Sequence, residues 1–282
     1  MSPSSASFAE IDERTILEKW PEVTPLRRIS GIPTSPSSEN TDKELFKGHD
    51  EEQIKLMDEL CIVTDVDDVP VGAGTKRLCH LMDNIKQGLL HRAFSVFLFD
   101  ENDRLLLQER AEGKITFPEM WTNTCCSHPL CVPEELGVIL ENKTKDVKDI
   151  KNSIEGAKIA AQRKLNHELG IPFEDVPLSK FHFLTRIHYM ATSGSEDSPW
   201  GEHEIDYILL IRVKNGIRIK ANHNEVKNHK FVSMNQLHEM FQVRSLNFTP
   251  WFKLICQSFL FNWWANLDSI EDHKDNTIHR LL

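Results

Sequence analysis

The stretch NSIEGAKIAAQRKLNHELGIP, residues 152–172, decides how the chain is read. Ile154, Ala157, Ala161, Leu165 and Leu169 recur at three- and four-residue intervals, so they share one apolar stripe of an α-helix. Asn152 can cap the first turn, and Glu155, three residues on, can reach back to complete a capping box. Gly170 can take the left-handed conformation that stops a helix, and Pro172 bars its continuation. A helix that is apolar along one stripe needs a surface to cover it.

The flanking sequence offers that surface as strands. Residues 93–99 (AFSVFLF) read as a buried strand, 100–103 as a turn and 105–108 as the returning arm of a hairpin. Residues 53–60 have a helical pattern, 61–64 form a short strand, and an acidic turn follows at 65–68. Residues 122–129 lack helical period and read as a loop, and the Lys/Asp-rich 132–152 reads as an exposed insertion. Residues 181–189, 204–213 and 231–233 are further strands. Thr249 and Pro250 open a last helix through Trp251, Ile255, Phe259 and Trp263. Strands interleaved with helices give an α/β fold, and the hairpin makes its sheet mixed. The Ser/Pro-rich 30–40 cannot bury enough surface to order itself, so residues 1–48 are expected to be a mostly disordered extension. Within it, 16–20 could dock. The catalytic domain is expected to span 49–282.

Composition removes several function classes. Of 282 residues, 33 are Lys or Arg and 43 are Asp or Glu, a net charge of −10. An acidic chain is a poor general ligand for nucleic acid. No window approaches the ~18 apolar residues of a membrane span, and no apolar leader follows a basic start. Six cysteines, two of them adjacent at 125 and 126, are no disulfide framework. The expectation is a cytoplasmic protein in a reducing compartment. The final HRLL is a poor match to a peroxisomal signal, and a monomer is the default.

Thirteen histidines are present, and a histidine taken alone is most often a surface or satisfied core group. His80, His91 and His128 stand in distinctive settings, at strand approaches or after the hairpin. Glu202 and Glu204 form E-x-E at a strand mouth, which sends both carboxylates to one face. Three imidazoles and two carboxylates suit an octahedral divalent cation better than tetrahedral zinc. Cys126 lies two residues from His128, where positive charge would favour its thiolate. Its ordinary alternative is a buried structural cysteine. Cys125 should point the other way. Lys76, Arg110, Lys114 and Lys164, if gathered, would bind a small polyanion; singly, each would be a solvated side chain.

Set against the Nudix box, G-x5-E-x7-R-E-U-x-E-E-x-G-U with U aliphatic, the helix matches at Glu155, Arg163, Leu165, Glu168, Gly170 and Ile171. It departs at Asp149, Lys164 and His167, where the box has Gly, Glu and Glu. Losing two metal-gathering glutamates argues against hydrolysis. With GAGTKRLCH (72–80), LLHRAFSVF (89–97), KITFP (114–118), TNTCCSHP (122–129), HELGI (167–171), RIHYMA (186–191), WGEHEIDYIL (200–209) and TPWFK (249–253), the chain resembles the type I isopentenyl-diphosphate isomerases, a branch of the Nudix fold. The resemblance runs from about residue 49 onward and is nearest to fungal members.

That resemblance implies a Nudix-type α/β/α sandwich with a C-terminal helix. It implies conversion of isopentenyl diphosphate to dimethylallyl diphosphate by proton addition and removal through a tertiary carbocation, supplying isoprenoid and sterol synthesis. His80, His91, His128, Glu202 and Glu204 would hold one Mg²⁺, with Mn²⁺ or Zn²⁺ as competitors for that site. Glu168 would help hold a second Mg²⁺ with the substrate diphosphate. Cys126 and Glu204 would carry the protons, with Glu204 as donor and Cys126 as acceptor the preferred assignment and the reverse chemically open. Tyr189 would adjust Glu204, and Trp251 would face the cation, a contact worth ~2 kcal/mol or more when desolvated. Lys76, Arg110, Lys114 and Lys164 would hold the diphosphate, with Lys164 standing where several relatives have Arg. The rival readings are a Nudix hydrolase of a nucleoside diphosphate derivative and a non-catalytic metal-binding scaffold.

Overall fold

The structure is a computed structural model that describes residues 12–26, 45–138, 146, 148–214 and 216–282. Its strands, in chain order, are β1 (Thr24–Pro25), β2 (Leu60–Thr64), β3 (Pro70–Thr75), β4 (Leu90–Phe99), β5 (Leu105–Arg110), β6 (Trp121–Thr122), β7 (Cys125–Ser127), β8 (His182–Thr192), β9 (Gly201–Arg212), β10 (Val226–Val232) and β11 (Ile278–Arg280). The main path runs β1-β3-β2-β4-β9-β8-β11. Among the described pairs β4–β9 and β8–β11 are parallel and the rest antiparallel, so the sheet is mixed.

β4 is buried at every position because helices cover both faces. Phe94, Val96 and Leu98 pack with Ala157, Ala161, Leu165 and Leu169 of the helix Ile150–Leu169. Phe97 and Phe99 pack with Phe252, Ile255 and Trp264 of the C-terminal helices. The helix stripe read from the sequence is thus the buried one. Its start differs: Asp149, not Asn152, caps the helix by accepting from the Lys151 N–H, and Glu155 is paired with Lys158 instead of reaching back. Gly170 ends the helix at φ 62°, and a Cβ there would lie 2.3 Å from the Lys220 carbonyl oxygen.

The expected hairpin is present only at its tip. β4 and β5 pair at Phe99 and Leu105 and then part. Residues 121–127 enter the gap, β6 pairing with β5 and β7 with β4. The Thr124 hydroxyl spans what remains, accepting from the Leu98 N–H at 2.9 Å and donating to the Leu106 carbonyl at 2.6 Å. Half of the expected loop 122–129 is therefore strand. β5 finds its long partner in β10 instead.

Two further expectations need correction. Residues 12–26 fold onto the sheet, so the folded body does not begin at 49. Ile16, Trp20 and Val23 bury themselves against Val71, Cys79 and Leu89, enough apolar surface to order a short segment. The Trp20 indole N–H donates to Asn84 Oδ1 at 3.1 Å. Thr24 and Pro25 run beside β3, where Gly72 alone fits: a Cβ would meet the Thr24 carbonyl oxygen at 2.4 Å. The Ser/Pro-rich stretch lies outside the described residues. Of the insertion 132–152, Glu135 is buried against Arg163 of the long helix and Leu136 among Ile62, Ala73 and Cys131; residues 139–145 and 147 lie outside the described ones.

At the far edge, β11 is tied down through two buried histidines. The Arg280 Nη1 lies 2.8 Å from His188 Nδ1, the His188 and His203 Nε2 atoms are 2.8 Å apart, and His203 Nδ1 lies 2.9 Å from the Leu89 carbonyl. An arginine can only donate and a carbonyl can only accept, which fixes both tautomers as neutral rings passing hydrogen bonds in one direction. Burial, then His203 and Arg280, push His188 down to about 3 from its ordinary 6.5. The unfolded chain therefore binds a proton that the folded chain refuses, and stability falls as pH drops from about 6.5 toward about 3. The expected loss approaches about 1.4 kcal/mol per pH unit for one such group. Urea unfolding at pH 7, 6 and 5 measures it, and His188→Gln should flatten the slope; an unaltered slope would assign the acid sensitivity elsewhere.

Candidate active site

Register places three side chains abreast. On β4, β9 and β8, His91 and Tyr189 both flank Glu204, and Glu202 lies two residues earlier on the same face of β9. His80 arrives at the end of the short helix Lys76–His80, and His128 just after β7. The three imidazole centroids are 4.8 Å apart in every pairing. His80 Nε2 lies 2.8 Å from Glu202 Oε2, His91 Nε2 3.4 Å from Glu204 Oε1, and His128 Nε2 2.8 Å from Glu204 Oε1.

The five ligand atoms all lie within 4.8 Å of one another. Octahedral coordination at ~2.1 Å demands neighbouring ligand atoms ~3 Å apart and opposite ones ~4.2 Å apart, so the spread suits such an ion. The Nε2 atoms of His80 and His91 and Glu202 Oε2 are buried without a hydrogen-bond partner of acceptable geometry. His80 Nε2 is nonetheless close to Glu202 Oε2, so the two are near without being aligned, as lone pairs aimed at a common point would be. His80 Nδ1 is 2.6 Å from the Lys76 carbonyl, which makes it the protonated nitrogen and leaves the Nε2 lone pair facing the cluster. Burial, then neighbouring histidines, hold His128 well below its usual range, and burial lowers His80. Against its burial, Glu204, Cys79 and Glu202 raise His91 instead; three imidazoles in their neutral form and two carboxylates are a donor set for a divalent cation.

Beside this cluster, Cys126 on β7 and Cys125 face opposite sides of the sheet. Cys125 Sγ packs toward Glu168 in the helix layer at 3.5 Å, whereas Cys126 lines the pocket with Tyr189, Glu204 and Trp251. The Tyr189 hydroxyl donates to Glu204 Oε2. Trp251 stands edge-on to Phe117 at 5.1 Å and 6.0 Å from the Tyr189 ring. Burial pushes the Cys126 thiol up to about 12, outweighing the pull of Arg110, so the chain's own charges do not favour its thiolate.

Three of the four basic residues reach the pocket wall. Lys76, Arg110 and Lys114 line it, with Glu168 opposite. Arg110 is aimed by the Phe117 and Thr116 carbonyls, at 2.9 and 2.8 Å. Lys164 is not in the wall; it lies behind, 3.4 Å from Glu168 and 3.3 Å from His167 Nδ1. The sequence reading missed Glu225, a buried carboxylate paired with Lys114 and held by the Gln53 amide at 3.0 Å. Lys114 and Lys164 hold its carboxyl far below the usual range, overcoming burial. It also missed the tie of Arg163 to Glu135, at 2.6 Å and 2.9 Å, which braces the His128 loop because Glu135 accepts from the Leu130 N–H. Glu135 carries no sequence signal, since it is 28 residues from Arg163.

A NUDIX domain is matched over residues 89–252. Isopentenyl-diphosphate delta-isomerase of Candida albicans is 66% identical over 276 residues, covering 97% of this chain and 97% of that protein. Isopentenyl-diphosphate delta-isomerase of Schizosaccharomyces pombe is 55% identical over 234 residues, 83% of this chain and 96% of that one. Isopentenyl-diphosphate Delta-isomerase 1 of Bos taurus is 48% identical over 238 residues, 82% of this chain and 96% of that one. The box that keeps Glu168 but replaces two other glutamates, the histidine–glutamate cluster and these likenesses converge: the chain belongs to the isopentenyl-diphosphate delta-isomerases of the NUDIX fold.

Proposed function

We propose that this protein converts isopentenyl diphosphate to dimethylallyl diphosphate by moving a carbon–carbon double bond one position. The observation that carries this reading is the shared pocket: a thiol (Cys126), a carboxylate (Glu204) and an indole (Trp251) line one cavity that is basic on another side. An unactivated alkene is a weak base, and its protonation builds a tertiary cation that water would capture. A catalyst must therefore supply a proton, remove another, and keep water out.

The chain's own groups divide that work. Lys76, Arg110 and Lys114 bind and orient the diphosphate head, with Lys164 supporting Glu168 from behind. The hydrocarbon tail lies between Cys126 and Glu204. Tyr189 restrains Glu204 through its hydrogen bond. Trp251, buried with Phe117, excludes water and offers a π-face to developing positive charge. His80, His91, His128, Glu202 and Glu204 would hold a divalent cation, Mg²⁺ or its competitors Mn²⁺ and Zn²⁺, and Glu168 a second Mg²⁺ shared with the diphosphate. Such ions supply charge neutralisation and polarisation. Glu204 as donor and Cys126 as acceptor is the assignment preferred from the sequence; burial, which disfavours the Cys126 thiolate, supports the reverse.

Supply of isoprenoid and sterol precursors, residence in the cytoplasm and a monomeric state belong to the same proposal. The six unpaired cysteines favour a reducing compartment. Among the described residues no helix is long and apolar enough to cross a membrane.

Cys126→Ala and Glu204→Gln should each lower product formation by about 10³-fold, followed by NMR of isopentenyl diphosphate in heavy water. The exchange pattern separates the two assignments. If Glu204 donates, Cys126→Ala still exchanges vinylic hydrogens of the substrate; if Cys126 donates, Glu204→Gln does. Full turnover by either variant removes that residue from the reaction. Dialysis against a strong chelator should abolish turnover while circular dichroism persists, and Mg²⁺ or Mn²⁺ should restore it. Turnover surviving exhaustive metal removal would refute the cation's part, and phosphate release from nucleoside diphosphate derivatives would point to the hydrolase instead.

A further inference from the structure

We propose that Asn123 is a positioning residue for the isomerisation, its carboxamide fixing the Cys126 strand and the Trp251 indole relative to each other across the pocket. The inference rests on the isomerase reading given above. Asn123 is fully buried, and its amide makes four hydrogen bonds. Oδ1 accepts from the Trp251 indole N–H at 3.2 Å and from the Thr122 hydroxyl at 2.9 Å. Nδ2 donates to the Cys125 carbonyl at 2.9 Å and to the Val96 carbonyl at 3.2 Å. Two donors meet the oxygen and two acceptors meet the nitrogen; a flipped amide would oppose like to like at the Trp251, Cys125 and Val96 contacts, and the Thr122 hydroxyl alone could turn to suit it.

These partners belong to separate pieces of chain. Val96 is on β4, Cys125 is the residue before Cys126 on β7, and Trp251 begins the helix Pro250–Ile255, 128 residues away from Asn123. The helix start is pinned at the same point, because the Thr122 and Thr249 hydroxyls are 2.8 Å apart and the Thr249 N–H donates to the Trp121 carbonyl at 3.0 Å. The indole's ring contacts with Phe117 and Tyr189 are not directional in this way. Its Nε1–H to Asn123 is the directional tie between the aromatic wall and the thiol wall. No other side-chain type offers two acceptor positions and two donors in one plane at this size, apart from the longer glutamine.

Proton transfer to and from carbon is sensitive to small displacements, and misplacement by about 1 Å can cost about 10²-fold in rate. Asn123 touches neither the basic wall nor the histidine–glutamate cluster through any of these bonds, so diphosphate binding should be spared. Asn123→Asp keeps the volume and the acceptor but loses both donors. Trp251→Phe keeps a ring but loses the N–H.

The test measures steady-state turnover of isopentenyl diphosphate, unlabelled and deuterated at the allylic methylene, together with inhibition by inorganic pyrophosphate. For Asn123→Asp we expect kcat to fall about 10²-fold, with KM and pyrophosphate inhibition within about threefold of the parent. The isotope effect on kcat should rise, because the loosened proton transfer becomes the slower step. Combining Asn123→Asp with Trp251→Phe should cost less than the product of the single losses, since both cut the same tie. A lower kcat with an unaltered isotope effect, the mark of fewer folded molecules, overturns the inference, as does an unchanged kcat. Should Asn123→Asp fail to fold, Asn123→Ser and Trp251→Phe carry the same measurement. A parent protein that does not isomerise the substrate at all is a different result: it overturns the isomerase reading itself.

Discussion

Two carboxylates, Glu202 and Glu204, are buried side by side on one face of β9. Like charges held that close and that dry are unfavourable by several kcal/mol unless something positive shares the space. Much of the surrounding architecture follows from that constraint. The end of the helix Lys76–His80, strand β4 and the turn after β7 bring His80, His91 and His128 to the same point, and the pairing of β4 with β9 sets His91 beside Glu204. Tyr189 comes from the other neighbouring strand to the remaining carboxylate oxygen. A cluster of this kind is costly to an empty fold and natural to one built around a cation.

The opposite wall depends on a different device. An uninterrupted β4–β5 hairpin would have closed the sheet where the pocket lies. Splitting it admits residues 121–127, whose alternation sends Cys125 toward the helix layer and Cys126 into the cavity. Hydroxyl and amide side chains replace the ladder that was lost: Thr124 spans β4 and β5, and Asn123 ties the wedge to the C-terminal helix. Buried polar side chains at this density are stabilising only when each finds its partners, and Thr122, Asn123 and Thr124 do.

Much of this was legible in the sequence. The helix stripe from Ala157 to Leu169, its stop at Gly170, the proline-opened helix at Thr249 and the E-x-E strand follow from local periodicity and turn chemistry. The five metal-binding candidates were identifiable by residue type and by likeness to a family; their convergence was not, because it depends on register between strands more than a hundred residues apart. The hairpin was misjudged for the same reason: AFSVFLF and its return look like adjacent arms locally, and only the insertion of 121–127 parts them. Glu225 and Glu135 were invisible because a lone glutamate carries no pattern. Asn152 lost its capping place to Asp149 because residues just upstream still belong to the helix. The docking of Ile16 and Trp20 was legible as a short apolar run, but the Ser/Pro-rich stretch that follows hid that 12–26 belongs to the folded body.

The alternation along β7 has a consequence for how this segment can vary. A substitution within 121–127 alters the contacts of one side chain and leaves the alternation of its neighbours in place. Loss or gain of a single codon there is another matter, since a strand's side chains trade sides with every residue of slippage. The register shift would bring Cys125 into the cavity and turn Cys126 toward the long helix, leaving the composition of the chain almost intact and its chemistry facing the wrong way. In this stretch the number of residues matters to the cavity as much as which residues they are.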